Sequence, residues 1–254
     1  MSVLADKFTL LSEDNLNERP GRKAMKRIGI LGGMSATSTQ LYYASLCQLA
    51  QEALGGLNSP ELLIRSVNFD PIAKQMELGE WDSIAARLNH EARDLETAGA
   101  EILVLATNTM HKLADQMMLG VNIPLVHIAD ATAEAIKAAG LSRPALLATK
   151  FTMQEPFYRE RFAQNGLSTI TPNDDDQVEI NRIIFDELCR NEVLADSQAF
   201  YEAIAEKLIS EGADCVVLGC TEICLVLNDK NVDVPVFDTT DLHCRAAFEA
   251  ANKG

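Results

Sequence analysis

The chain contains one stretch twice. Residues 99–109 read Gly-Ala-Glu-Ile-Leu-Val-Leu-Ala-Thr-Asn-Thr, and residues 212–222 read Gly-Ala-Asp-Cys-Val-Val-Leu-Gly-Cys-Thr-Glu. Aligned without a gap, each runs Gly-Ala-acid, four apolar residues and a small residue, reaching Thr107 in the first copy and Cys220 in the second. A second echo comes after each in the same order: Val121-Asn122-Ile123-Pro124-Leu125 against Val232-Asp233-Val234-Pro235-Val236, the spacing changed by two residues. Two matches in one order point to an internal duplication. The fold is then built from two similar halves, with Thr107 and Cys220 at corresponding points.

The 254 residues, 47% of them apolar, suffice for one large domain or two small ones with a real core. Eight prolines and 14 glycines are ordinary for a globular chain. A net charge of −15 argues against a nucleic-acid partner, which needs clustered Lys and Arg. It leaves an anionic small substrate open, because local charge can oppose the global sign. No apolar run approaches the ~20 residues of a membrane span, and the first residues lack the apolar centre of a signal peptide. No membrane partner and a cytoplasmic location are therefore expected. Cys47, Cys189, Cys215, Cys220, Cys224 and Cys244 show no CxxC spacing, and reduced thiols fit best. Cys220 and Cys224 would share a helix face, so a metal site with His243 and Cys244 is conceivable. Scattered core thiols are the commoner meaning, and no metal is expected.

Residues 1–25 are polar and aperiodic, the composition of a flexible arm. Beyond them, strands are predicted at 27–31, 62–67, in the two repeats, and at 124–126, 144–148, 168–170 and 235–237. Helices are predicted from Ser35, a plausible cap, to Leu54, and over 71–78, 82–97, 130–139, 153–164, 177–189, 197–211 and 240–251, with a further helix after Thr109. The helix over 82–97 carries an apolar stripe of Ile84, Ala85, Leu88, Ala92 and Leu95. Asp174-Asp175-Asp176 reads as an acidic helix start rather than a hard-metal site. Alternating strands and helices imply an α/β fold of two pseudo-symmetric, Rossmann-like domains with parallel sheets. The expected divisions are 26–124, completed by the helix over 240–254, and 125–239, with the active site between them. Ligands gather at the carboxyl ends of parallel strands, and Thr107 and Cys220 each fall one position past such an end.

A small residue followed by a hydroxyl or thiol at a strand-to-helix junction has a chemical logic. Ala106 and Gly219 would let a ligand approach the backbone, and the amides at the helix start would hold a carboxylate. The same field would lower the pKa of Cys220 and make a thiolate available. Two such junctions across a cleft suit removal of a proton from one face of a carbon and its return from the other. The competing reading of Cys220 is a buried core thiol.

The signatures Ile28-Gly29-Ile30-Leu31-Gly32-Gly33-Met34-Ser35, Thr107-Asn108-Thr109-Met110-His111 and Leu218-Gly219-Cys220-Thr221-Glu222 resemble the aspartate/glutamate racemase superfamily, in order and from about residue 26 to the end. The resemblance implies racemisation of a small acidic amino acid without pyridoxal phosphate or metal, hence no cofactor, and commonly a homodimer. The usual pattern has one catalytic cysteine per domain. Here Cys220 matches the second, but Thr107 stands where the first should be. That departure, with Lys150-Phe151-Thr152-Met153, is similar to an atypical subgroup acting preferentially on the L-enantiomer. Cys220 would then be the base toward the L-form, with Thr107 and water serving the opposite face.

Matching motifs implies that Met34 and Ser35 line the cleft, and that Asn108, Thr109 and Thr221 grip the α-carboxylate and amine. Thr149 and Thr152 fall where the family has further substrate-binding threonines. Arg65 is favoured over Lys150, Arg159 and Arg161 as the cation for a side-chain carboxylate. Glu222 and His111 would orient or tune the catalytic groups, His111 being equally readable as a structural hydrogen-bonder. Alternatives are a hydantoin racemase, maleate isomerase or arylmalonate decarboxylase activity, or a non-catalytic binder of acidic amino acids.

Overall fold

The structure is a computed structural model and describes residues 25–190 and 192–253; the expected N-terminal arm, apart from Met25, lies outside the described residues. Two parallel sheets form the frame. In the first, β1 (Ile28–Gly32) lies between β2 (Leu62–Ser66) and β3 (Ile102–Leu105), and β3 pairs with β4 (Leu125–Val126), giving the order β2-β1-β3-β4. In the second, β6 (Cys215–Gly219) lies between β5 (Pro144–Ala148) and β7 (Val236–Asp238). The strand expected near 170 is reduced to one parallel bridge, Ala145 to Ile170, in the place that β2 holds in the first sheet. The boundary expected between 124 and 125 cuts through the edge of the first sheet, because Leu125 and Val126 pair with Leu103 and Val104.

The helices are α1 (Ala36–Leu54), α2 (Phe69–Glu77), α3 (Trp81–Thr97), α4 (Ala114–Met117), α5 (Ile128–Ala138), α6 (Lys150–Gln154), α7 (Pro156–Gln164), α8 (Asp174–Asp186), α9 (Ala195–Ser210) and α10 (Thr239–Asn252). Local chemistry explains their ends. The Ser35 side chain caps α1 by accepting from the Ser38 amide, and Asn173 caps α8 by accepting from Asp176, ahead of the three aspartates in its first turn. The single helix expected over 153–164 is two. Glu155 is extended (φ −70°, ψ 143°), as a residue before proline prefers, and Pro156 opens α7. The helix expected after Thr109 is a 3-10 turn, Thr109–Leu113, followed by the one-turn α4.

The repeat is physical as well as textual. Glu101 accepts the backbone N–H of Arg27 just ahead of β1, and Asp214 accepts those of Ser142 and Arg143 just ahead of β5. The amides of Glu101 and Asp214 return bonds to the carbonyls of Arg27 and Arg143. Gly99 and Gly212 both have left-handed φ, 97° and 100°, and lie under those same two arginines, where a Cβ would approach Nη1 to 2.6 and 2.8 Å. In the second echo, the carbonyls of Pro124 and Pro235 accept from Leu103 and Val216.

The central strands of the first sheet, β1 and β3, are buried on both faces, and strand alternation sorts their side chains. Ile28, Ile30, Ile102 and Val104 face α1 and α10, joining Tyr42, Leu46, Cys244 and Phe248. Leu31, Leu103 and Leu105 face the other way, onto α3, where Ile84, Ala85, Leu88, Ala92 and Leu95 form the stripe read from the sequence. The second sheet has its own core, from Ile136 and Leu146 through Phe162, Ile180 and Tyr201 to Val217. The helix α10 comes after β7 of the second sheet yet packs against α1 and α5, tying the halves together.

Candidate active site

At the carboxyl ends of β1, β3, β5 and β6 lies a cavity of about 90 Å³. Met34, Ser35, Thr107, Asn108, Thr109, Thr149, Cys220, Thr221 and Glu222 line it, so the loops after four strands from both sheets converge as the motifs imply. Cys220 directly succeeds β6. Thr107 falls two residues past β3 and one past Ala106, whose amide still donates to the Leu31 carbonyl.

Cys220 Sγ donates a hydrogen bond to Glu222 Oε2 at 3.0 Å. Glu222 is the convergence point of the site: Thr221 Oγ1 donates to the same oxygen at 2.6 Å, and Ser35 Oγ, from the other half, reaches Oε1 at 3.5 Å. Burial first, and the Glu222 carboxylate second, push the Cys220 thiol well above its ordinary pKa. The expectation of a helix-lowered pKa is thereby overturned. The segment after Cys220 forms only a 3-10 turn of three residues, Ile223–Leu225, too short for an appreciable dipole, and the adjacent carboxylate opposes thiolate formation. Cys220 is a thiol with a carboxylate acceptor in place.

The glycine at 219 has a packing reason besides its place on the cavity wall. A Cβ there would come within 2.8 Å of Ala148 Cβ, so strand-to-strand packing demands the glycine; Ala106 is fully buried away from the cavity. Ala106 therefore does not serve ligand approach as expected, whereas Gly219 lines the cavity.

The hydroxyls of Thr109, Thr149 and Thr152 form a triangle with sides of 3.1–3.2 Å. Thr109 and Thr149 reach the cavity, while Thr152, fully buried, stands behind them and acts on ligand only through its neighbours. The Asn108 amide is largely engaged. Its Oδ1 accepts from Tyr158 Oη at 3.1 Å, and Nδ2 donates to Thr239 Oγ1 at 3.1 Å, leaving one N–H for a ligand. Asn108 is thus chiefly a clasp between the halves.

None of the four candidate cations lines the cavity. Alternation along β2 puts Arg65 on the same face as Leu63, toward α3, where its guanidinium grips both oxygens of buried Glu91. Arg161 is bidentate to Asp130, and Arg159 donates to the Gln154 carbonyl at the surface. The Lys150 amide donates to Asn181, and its side chain stands outside the lining. The assignment of Arg65, or of any of these residues, to a side-chain carboxylate is corrected accordingly.

Sequence reasoning missed Ser38 and Tyr42, which lie one and two turns beyond Ser35 on α1 and share its cavity-facing side. Tyr42 is wired by an ordered network. The Val126 carbonyl can only accept, so His243 Nε2, 2.7 Å away, carries the proton, and Nδ1 accepts from Tyr42 Oη at 2.7 Å. The Tyr42 hydroxyl thus spends its proton on His243. His111 is structural: Nδ1 donates to the Thr107 carbonyl at 2.7 Å, Nε2 accepts the Ile128 amide, and burial holds its pKa well below the usual value. It positions Thr107 through the backbone. Among the described residues, no group of three or more His, Cys, Asp or Glu side chains converges as a metal site would.

A thiol and a hydroxyl stand at equivalent strand ends of a duplicated fold and open on one cavity. The chain belongs to the Asp/Glu/hydantoin racemase family, whose model matches residues 31–247, and is an amino-acid racemase. It is 26% identical over 216 residues to RacX of Bacillus subtilis, a broad specificity amino-acid racemase, covering 84% of this chain and 92% of that one. A candidate Asp/Glu racemase from Yersinia pestis superposes with a TM-score of 0.86 at 42% identity, over 89% of this chain and 99% of its own. An aspartate racemase homologue from Pyrococcus horikoshii gives 0.80 at 38% identity, with the same shares of the two chains.

Proposed function

We propose that this racemase works without a cofactor, Cys220 taking the Cα proton of an L-amino acid and Thr107, with water, returning one on the opposite face. The observation that carries the reading is the Cys220–Glu222 hydrogen bond inside the cavity that Thr107 also lines. Glu222 accepts the thiol proton as substrate binds, and the incoming α-ammonium offsets the charge shared by sulfur and carboxylate, which lowers the cost of the thiolate. The thiolate then removes the Cα–H proton, and its electron pair passes into the substrate carboxylate. The Thr109–Thr149 hydroxyls and the free N–H of Asn108 are placed to stabilise the resulting enediolate, and Tyr42 Oη offers its lone pair to the ammonium. The Thr107 O–H protonates the far face and is replenished by water; the hydroxide so left takes the proton held by Glu222, while Cys220 keeps the one drawn from Cα, which completes inversion and restores the site. A homodimer in the cytoplasm belongs to the same proposal, and light scattering on the eluted protein tests the assembly.

Because a threonine hydroxyl is a far weaker base than a thiolate, exchange of Cα–H for deuterium is expected to run faster from the L- than from the D-enantiomer. Thr107→Cys is expected to raise exchange from the D-enantiomer by at least tenfold. Equal exchange from both enantiomers in the wild type, or no gain in Thr107→Cys, contradicts the assignment of the two faces.

A further inference from the structure

Resting on the racemase reading above, we infer that the side-chain subsite selects an uncharged, apolar side chain over a carboxylate. The first ground is a charge census. Among the described residues lining the cavity there is no Arg, Lys or His, and the only charged side chain is Glu222, an anion. A neutral amino acid brings a balanced zwitterion, whose ammonium answers Glu222. Aspartate or glutamate brings one more negative charge, which would sit below the surface without a cation, in a chain already at −15.

The second ground is where the cations are. Arg65 and Arg161 are spent on Glu91 and Asp130 in two-toothed pairs. Lys112 stands behind the wall: its Nζ pairs with Glu155 at 3.0 Å and lies 4.0 Å over the ring of Trp81, which meets Phe151 edge-on. The third ground is the wall itself. The strand-end loops bring the hydroxyls and the thiol, whereas the peripheral helices bring Phe69 and Met76 from α2, Phe151 from α6, and Ile184 and Phe185 from α8. Phe185 is 45% exposed, a large apolar ring left open at a cavity that an apolar ligand would cover. Flexible Met76 and planar Phe151 and Phe185 suit aliphatic or thioether chains of several shapes.

The test compares Cα–H exchange in heavy water for L-methionine and L-leucine with that for L-aspartate and L-glutamate, at subsaturating concentration. A kcat/KM for L-methionine at least tenfold above that for either acidic amino acid is expected. Phe151→Arg should narrow or reverse that ratio by giving a carboxylate its missing partner, while Lys150→Ala should leave L-methionine exchange unaltered. Calorimetric titration of Cys220→Ser should show L-methionine binding more tightly than L-aspartate, a readout independent of turnover. Equal or better exchange with an acidic amino acid, or loss of acidic-substrate exchange in Lys150→Ala, overturns the inference and leaves the racemase standing. Absence of exchange with all four substrates overturns the mechanism on which the inference rests.

Discussion

The proposed mechanism concentrates the chemistry in Cys220 and Glu222, a thiol hydrogen-bonded to a carboxylate. Burial and the neighbouring Glu222 carboxylate make the thiol's ionisation harder, so the thiol keeps its proton at neutral pH, with a carboxylate oxygen 3.0 Å away. The raised thiol pKa sets the sign of the pH dependence: the thiolate fraction grows with pH, so kcat/KM is expected to climb through the neutral range into the alkaline. Glu222→Gln removes the opposing charge together with the proton acceptor. The ascending limb should move to lower pH while the plateau falls by about 10²-fold, the scale of a lost general base. A pH–rate profile of the two proteins checks this, and an unshifted limb would show that Glu222 does not govern the thiol. The motif containing Cys220-Thr221-Glu222 is legible in the sequence. The direction of its pKa is not, because it depends on three-dimensional burial and on the segment after the thiol being one 3-10 turn instead of a helix.

At the scale of elements, the duplicated Gly-Ala-acid stretch is a closure device for each half. Asp214 takes two backbone amides, and although burial alone would raise its pKa, those two bonds hold it below the usual carboxylate value. Asp214→Ala is expected to cost about 1–2 kcal/mol, after discount for partial exposure, and Glu101→Ala, which frees one amide, about half of that. Denaturant midpoints measure both, and the reverse order would contradict the role assigned to the repeat. The central strands are readable as short apolar runs because they are buried on both faces, and the helix stripes because the period of 3.6 survives in the sequence. Register across elements is not. Nothing local says that Arg65 shares a face with Leu63 and meets Glu91, or that α2, α6 and α8 turn Phe69, Phe151 and Phe185 toward the loops of other elements. The break at Pro156 is available in the sequence, since proline restricts its predecessor, although the apolar pattern suggests a single helix across it.

The molecule as a whole is bound together at a buried histidine cluster where the halves meet. The rings of His111 and His127 lie 4.5 Å apart, those of His111 and His243 5.6 Å apart, and α10 carries His243 back from the second sheet to Tyr42 of the first half. Burial drives His243 down to about 4, and burial with Arg161 nearby drives His127 to about 4, while an unfolded histidine titrates near ~6.5. These groups therefore contribute stability that is complete above ~6.5 and is lost as pH falls through the window toward 4, because only the unfolded chain takes up the protons. For His243 alone the full shift corresponds to about 3 kcal/mol. A fall in Tm on the order of 10 °C between pH 7 and pH 5 is expected in thermal scans; a flat profile across that interval would remove the cluster from the stability account. That the family signature spans both halves makes the fold and the cavity-lining loops legible early, whereas the cluster, built from distant segments, leaves no local signal.

The measurement that bears most directly on the central claim is proton NMR of an L-amino acid in heavy water, monitored with the wild type and with Cys220→Ser. Loss of the Cα–H signal in the wild type, slowed by at least about 10³-fold in a variant that keeps the wild-type circular dichroism, is the predicted result. Exchange at an undiminished rate in folded Cys220→Ser would contradict the thiol's role and require another base in the cavity.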